Sequence, residues 1–188
     1  LVYQHVVEYL IDGFRRFGFD NVLNYIVENY VIKDDLCLDE LTESSIQKRL
    51  DQNKILPIGS VAPNIILPDA SGKEINVTTL KSKKLLIIFY TTKCPHCKDL
   101  LPEVSAFHKE KNKSFDIVAV SIDANKNDWF EYINSNKFEW LNLIDIDNWG
   151  GKTAAAYYLY ATPTMFLLDE GKIIAKPITI AELKNAFK

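Results

Sequence analysis

Two of the three cysteines in this chain of 188 residues stand close together, in the run Cys94-Pro95-His96-Cys97. This spacing puts Cys94 just before the first turn of a helix and Cys97 one turn inside it. The two sulfurs can then bridge without bending the backbone. Cysteines paired in this way serve redox chemistry or metal binding. The run therefore predicts either a reversible disulfide or half of a metal site.

A helix start distinguishes the two sulfurs chemically. Free amide N–H groups and the helix dipole favour a negative thiolate there, so Cys94 is predicted to be the attacking sulfur. Cys97, shielded inside the helix, is predicted to resolve the mixed disulfide. Pro95 suits the first helical position, where its missing N–H costs nothing. When cationic, Lys93 and His96 would stabilise the thiolate and push the pair toward being an oxidant.

The elements around this motif alternate between strands and helices. A continuous apolar run at 85–90 is typical of a strand covered on both faces, and it leads into the cysteine motif. Further strands are predicted at 64–67, 74–77, 117–122, 164–169 and 172–176, and helices at 95–111, 127–136 and 180–187. This order predicts an α/β domain with a central mixed β-sheet flanked by helices.

The first 50 residues follow a different pattern, in which apolar residues recur at helical spacings. The predicted buried stripes are Val2, Val6, Leu10, Phe14 and Phe17, then Val22, Leu23, Ile26, Val27 and Tyr30. A third helix is predicted over about 38–50. We therefore predict an N-terminal helical segment over 1–56 and an α/β domain over 57–188.

The overall composition argues against two kinds of partner. The formal net charge of −3 gives no electrostatic footprint for nucleic acid or for an anionic lipid surface. No apolar run approaches the roughly 18–20 residues that a membrane span requires. We predict no nucleic-acid partner and no transmembrane segment in this sequence.

From about residue 57 onward, the chain resembles the thioredoxin-fold superfamily. Within it, the likeness is to the TlpA/ResA-like, AhpC/TSA-related thiol–disulfide oxidoreductases of bacteria. It depends on four features in the right order. These are a hairpin at 62–73, the strand leading into Cys94-Pro95-His96-Cys97, the run 98–102 that follows, and Ala161-Thr162-Pro163-Thr164 before the last hairpin.

The resemblance implies a thioredoxin fold and disulfide exchange with protein substrates through a mixed disulfide at Cys94, resolved by Cys97. It also implies a cis peptide bond before Pro163, facing the disulfide, with the Thr162 backbone offered to an extended substrate segment. Because the cysteine pair is itself the redox carrier, no organic cofactor and no metal are expected. Implied partners are protein thiols or disulfides and a redox partner protein. The implied location is the bacterial periplasm or another extracytoplasmic site, with an upstream membrane anchor as one option.

The sequence departs from the family pattern in ways that leave the direction of exchange open. Lys93 stands where the family usually has an aromatic residue, and Leu100 stands where many members have a glutamate as proton acceptor. Asp99 and Glu103 do not match that position, so we assign no buried base. The dipeptide between the cysteines is that of DsbA-type oxidants, whereas the family branch suggests a reductant. Reductant, oxidant and isomerase all stay open.

Three other functions compete with this interpretation. A zinc site would need two more ligands, and the candidates form no second paired motif: Cys37, His5, His96 and His108. A peroxiredoxin-like peroxidase is suggested by Thr91, three residues before Cys94. Against it, Ile87 takes the proline position of that motif and no arginine follows Arg49. A thioredoxin-like binding module could act through the helical segment instead.

Several other residues are predicted to be structural. Cys37 is interpreted as a small buried hydrophobe rather than a third redox partner, and His5 and His108 as surface residues. The aromatic residues after the motif are predicted to pack in the core and at its rim: Trp129, Trp140, Trp149, Tyr157, Tyr158 and Tyr160. Tyr160 is also close enough in sequence to Pro163 to be a candidate for touching substrate.

Overall fold

The computed structural model describes residues 2–16, 20–32, 40–80 and 82–188. These residues form two compact units, Leu1–Asp51 and Gln52–Lys188. The predicted domain boundary, between residues 56 and 57, lies five residues beyond this division and stays a prediction. Cys37 lies outside the described residues, so its predicted burial is not addressed by the structure.

The first unit is helical. Helix α1 spans Val2–Arg16, α2 spans Asp20–Ile26 and continues as a π-helical segment over Val27–Ile32, and α3, which begins in this unit, spans Glu40–Ile55. Among the residues whose burial the structure describes here, the buried hydrophobic ones are Val7, Ile11, Leu23, Ile26, Val27, Val31 and Leu50.

The predicted buried stripe of α1 was wrong for Val2, Val6 and Leu10, whereas Phe14 is half-buried and Phe17 lies outside the described residues. Val2 is 79% exposed and Val6 is 50% exposed, whereas Val7 and Ile11 are buried and Phe14 packs beside them. The physical reason is the helical repeat of 3.6 residues per turn, since successive steps of four residues drift steadily around the axis. Three such steps, from Val2 to Phe14, leave the face on which the run began.

The second unit is built on a five-stranded sheet. Its strands are β3 (Lys84–Tyr90), β4 (Asp116–Ser121), β5 (Leu141–Ile144), β6 (Thr164–Asp169) and β7 (Lys172–Ala175), arranged in the order β5-β4-β3-β6-β7. Strands β3, β4 and β5 run parallel, while β6 and β7 join antiparallel. A separate hairpin pairs β1 (Ile66–Pro68) with β2 (Glu74–Asn76). The predicted mixed α/β sheet is confirmed.

The helices of this unit are α4 (Pro95–Glu110), α5 (Lys126–Asn136), α6 (Lys152–Ala156) and α7 (Ile180–Asn185). Sequence reasoning missed β5 and α6. Strand β5 has only four residues, one of them the polar Asn142, so it lacks the apolar run that marks β3 and β4. It is identified instead by its parallel register, in which Val118 pairs with Leu141 and Ser121 with Ile144.

Strand β3 is buried on both faces, as its apolar run predicted. On one face Leu86, Ile88 and Tyr90 share a core with Cys97, Leu101, Trp129 and other residues of the flanking helices. On the other face Leu85, Ile87 and Phe89 pack with Tyr157 and Phe166. Because six of its seven residues are buried, β3 provides a rigid support for the segment that follows Tyr90.

Candidate active site

Cys94 caps the helix that follows β3. Its sulfur accepts a hydrogen bond from the Cys97 N–H over 3.3 Å, and its own N–H donates to the Thr91 carbonyl over 3.2 Å. Pro95 occupies the first turn of α4, as predicted. An N–H pointing at the sulfur from a helix start stabilises negative charge on it. The first turn of α4 therefore directs one of its free N–H groups at the Cys94 sulfur.

The loop before β6 brings a second segment to this sulfur. The Cys94 thiol donates to the Thr162 carbonyl oxygen over 3.3 Å, although the two residues are 68 positions apart. The Thr162–Pro163 peptide bond is cis, which confirms the expectation drawn from the family resemblance. The carboxyl end of β3 thus faces the beginning of β6, and this brings together the predicted site residues Cys94, Cys97, Thr162 and Pro163.

Cys97 lies in a hydrophobic core of the second unit and has no solvent exposure. Tyr90 and Trp129 belong to the same buried core, with Tyr132 packed against it. The Trp129 indole N–H donates to the Tyr90 hydroxyl oxygen over 3.1 Å, which satisfies both buried polar groups. Burial raises the pKa of Tyr90 and, together with the nearby cysteines, that of Tyr132.

Burial, followed by the hydrogen-bonding contact with Cys94, raises the pKa of Cys97 to about 12. Cys97 is therefore a thiol at neutral pH in the reduced protein. A thiol must lose its proton before it can attack a disulfide.

The raised pKa of Cys97 makes a prediction about stability in alkali. A raised folded-state pKa stabilises the reduced protein below the ordinary thiol value near 9, and this contribution is lost as pH rises toward 12. Above about pH 9 the free energy of unfolding of the reduced wild type should fall more steeply than that of reduced Cys97→Ala. Urea denaturation with a phosphine reductant at pH values of about 8 to 10.5 measures this difference. Parallel pH profiles would contradict it.

Lys93 directly precedes Cys94, and His96 lies between the two cysteines; both residues are exposed. The Lys93 side chain, 81% exposed, pairs with the Asp128 carboxylate near the start of α5 over 3.1 Å. A carboxylate at this distance offsets much of the positive charge that Lys93 was expected to bring to the thiolate. The residue before Cys94 therefore acts together with Asp128, which sequence reasoning did not find.

Removing the Asp128 charge should shift the reduction potential of the cysteine pair. In Asp128→Asn, Lys93 loses its partner, and its positive charge beside the Cys94 sulfur favours the reduced form of the pair. For an exposed pair we expect the potential to rise by about 5–20 mV, measured by equilibration in glutathione buffers. Glu131→Gln, on the exposed side of the same helix, is the matched control and should leave the potential unchanged. A fall in the potential of Asp128→Asn would overturn the expectation.

Three buried polar residues beside the motif also escaped sequence reasoning: Thr92, Ser121 and Asp123. The Asp123 carboxylate accepts hydrogen bonds from the backbone N–H and the hydroxyl of Thr92 and from the hydroxyl of Ser121. The signal in the sequence is the presence of polar residues directly after the apolar run of β4. The carboxyl ends of neighbouring parallel strands lie at one sheet edge, so these residues come close to the motif after β3.

The histidine predictions divide. His5 is exposed, as expected, but the prediction for His108 was wrong because the residue is buried. Its Nε2 lies 2.7 Å from the Phe115 carbonyl oxygen, and its ring packs edge-on against Phe115. The charged residues next to His108 in the sequence suggested a surface position, but His108 lies on the buried face of α4.

The aromatic residues predicted for the core and its rim differ in burial. The buried ones are Trp129, Trp140 and Tyr157, Tyr160 is half-buried, and Trp149 and Tyr158 are more than one-third exposed. Within the described ranges no group of three or more His, Cys, Asp and Glu side chains is arranged to hold a metal ion. No helix in the described part of the chain is long and apolar enough to cross a membrane.

The second unit combines a mixed sheet in this strand order, a Cys-x-x-Cys helix start after β3 and a cis-proline loop against that start. These features define a thioredoxin-fold protein of the thiol–disulfide oxidoreductase class. Comparisons with known proteins agree. The AhpC/TSA family matches residues 58–176, and the chain belongs to this family. The predicted resemblance is thereby confirmed.

Individual relatives point the same way. The thiol–disulfide oxidoreductase ResA of Bacillus subtilis is 32% identical over 118 residues, which cover 62% of this chain and 64% of that protein. The match thus spans slightly less than two-thirds of this relative. The thioredoxin domain of a thiol–disulfide oxidoreductase from Bacteroides vulgatus superimposes with a TM-score of 0.64 at 30% identity, covering 70% of this chain and 96% of that one. A thiol:disulfide interchange protein from Bacteroides sp. gives a TM-score of 0.63 at 30% identity, covering 71% and 89% of the two chains.

Proposed function

We propose that this chain exchanges disulfides with protein substrates through a mixed disulfide at Cys94. The observation that supports this most strongly is the position of the Cys94 sulfur. This sulfur belongs to a half-buried residue. It lies 3.3 Å from both the Cys97 N–H nitrogen and the Thr162 carbonyl oxygen. One contact stabilises charge on the attacking sulfur, and the other places the sulfur beside a backbone segment that an extended substrate can pair with.

The exchange has two steps. In the reducing direction the Cys94 thiolate attacks one sulfur of a substrate disulfide, and the other substrate sulfur leaves as a thiolate that takes up a proton. Cys97 then loses its proton and attacks the Cys94 sulfur, which releases the second substrate thiolate. The substrate gains two electrons and two protons, and the Cys94–Cys97 pair becomes a disulfide. The oxidising direction runs the same steps in reverse.

Within this proposal the cysteine pair is the electron carrier, so no organic cofactor or metal is needed. A second protein must restore the pair to its starting redox state after each turnover. An oxidising compartment is where protein disulfides form and persist, which supports a periplasmic or other extracytoplasmic location. Thiol trapping in separated cell fractions tests the location.

The experiment that tests the function uses the Cys97→Ser variant. A serine at this position cannot resolve a mixed disulfide, so the variant should accumulate a covalent adduct with a small disulfide-containing test protein. Mass spectrometry should locate the bond at Cys94, and dithiothreitol should release it. The Cys94→Ser/Cys97→Ser double variant is the control and should form no adduct. Absence of an adduct with Cys97→Ser itself would overturn the proposal.

The equilibrium reduction potential of the wild-type pair then assigns the direction. A value near about −120 mV corresponds to a strong oxidant, and a value near or below about −270 mV corresponds to a reductant. The measurement uses glutathione or dithiothreitol buffers and counts the alkylated thiols at equilibrium.

A further inference from the structure

The proposed exchange steps give no role to the buried acidic residue Asp123. Asp123, at the carboxyl end of β4, is only 9% exposed. Its Oδ2 accepts from the Thr92 N–H over 2.9 Å and from the Ser121 hydroxyl over 2.7 Å, and its Oδ1 accepts from the Thr92 hydroxyl over 3.2 Å. The Asp123 N–H in turn donates to the Ser121 hydroxyl oxygen over 3.2 Å. A buried carboxylate with this many donors is a fixed structural anchor.

This anchor holds the segment that delivers the attacking sulfur. Thr92 stands two residues before Cys94, and Asp123 binds both its backbone and its side chain. Next to it, the Ile122 N–H donates to the Tyr90 carbonyl over 3.0 Å, which ties the last residue of β3 to the same strand end. The turn between β3 and α4 is therefore attached to β4 at Tyr90 and at Thr92.

We propose that Asp123 is a positioning residue for Cys94, acting through Thr92. This inference rests on the proposed exchange function. The two contacts of the Cys94 sulfur, to the Cys97 N–H and to the Thr162 carbonyl, are each 3.3 Å long. A small displacement of the turn would break them, and misplacement of a reacting group by about 1 Å can cost on the order of 100-fold in rate.

The hydrogen-bond pattern allows geometry to be separated from charge. In Asp123→Asn, the amide oxygen can take the place of Oδ2 and accept from the Thr92 N–H and the Ser121 hydroxyl. The amide NH₂ can then donate to the Thr92 hydroxyl oxygen, because a hydroxyl also accepts. Asp123→Asn therefore keeps the anchor without its charge, whereas Asp123→Ala removes both. Thr92→Val removes the hydroxyl that donates to the Asp123 Oδ1, and Thr92→Ser retains this hydrogen bond.

The test measures kcat and KM for reduction of a disulfide peptide with dithiothreitol as electron source. We expect kcat to fall about tenfold or more in Asp123→Ala and several-fold in Thr92→Val, with KM little changed. Asp123→Asn and Thr92→Ser should stay within about twofold of wild type. Asp145→Ala and Thr153→Val are matched controls, since both replaced residues are buried in the same unit, Thr153 in α6, and the Asp145 carboxylate accepts from the Asp147 N–H. Circular dichroism confirms that each variant is folded.

The possible outcomes separate the two proposals. If the wild type exchanges disulfides and both Asp123→Ala and Thr92→Val match it, the positioning role is wrong while the function stands. If Asp123→Asn loses as much activity as Asp123→Ala, the charge matters rather than the geometry, and the positioning role is again wrong. A loss of kcat in Asp123→Ala that the matched control Asp145→Ala shares equally would also overturn it. If the wild type itself has no activity, the proposed function fails first.

Discussion

Replacing Cys94 with serine should lower the rate of disulfide exchange at least about a thousandfold, to the background of the uncatalysed reaction. The physical reason is that a serine hydroxyl at this position is not ionised near neutral pH and forms no disulfide. The N–H of residue 97 would still point at the side chain, so the fold should be unaffected. Reduction of insulin or of a peptide disulfide, followed with dithiothreitol as electron source, measures the change.

The control for this variant is Cys37→Ser, which replaces the third cysteine in the same way. If only the Cys94–Cys97 pair carries electrons, Cys37→Ser should retain the wild-type rate. Replacing the disulfide substrate with hydrogen peroxide tests the competing peroxidase interpretation. Only a peroxidase would reduce hydrogen peroxide rapidly. Exchange activity that survives in Cys94→Ser would contradict the assignment of the attacking sulfur.

Replacing Trp129 with alanine should lower the free energy of unfolding by about 3–5 kcal/mol. Trp129 is among the largest fully buried side chains of the described residues, and it packs in the core that contains Cys97. The variant leaves a cavity beneath the site and also removes the donor to the Tyr90 hydroxyl. Urea denaturation of the oxidised protein measures the loss.

Trp149→Ala is the matched control, because Trp149 is 47% exposed and the same truncation there removes little buried area. Its free energy of unfolding should change by no more than about 0.5–1 kcal/mol. If Trp129→Ala lost no more free energy of unfolding than Trp149→Ala, the core around Cys97 would be less tightly packed than the structure indicates.

Much of the site could be predicted because its determinants are local. The spacing of Cys94 and Cys97, the apolar run before them and Pro95 at the first helical position all lie within about a dozen residues. Local spacing determines hydrogen bonding at a helix start whatever surrounds it. The strand–helix junction was accordingly found within one residue of its place in the structure, since α4 begins at Pro95.

Prediction was weaker where a residue's surroundings depend on packing. His108 was expected at the surface because its neighbours in sequence are charged, yet its side chain lies on the buried face of α4. The stripe on α1 failed for a related reason. Several faces of that helix carry apolar residues, and Val7 and Ile11 are buried because they share a core with residues of α2, the π-helical segment and α3. Apolar residues can be counted from sequence, but the face that is covered depends on the partner element.

The sequence by itself determined the Cys-x-x-Cys pair, the helix start that holds it and the alternating α/β order, because these follow from spacing and periodicity along the chain. The family resemblance implied that the loop of Thr162 and Pro163 faces the cysteine pair, and the tertiary structure shows the contact of the Thr162 carbonyl with Cys94, 68 residues away. Only the tertiary structure placed the Asp123 carboxylate against Thr92, 31 residues away. These contacts depend on β3 lying between β4 and β6. Strand order results from the packing of the whole sheet, and the apolar pattern of each strand is compatible with more than one neighbour.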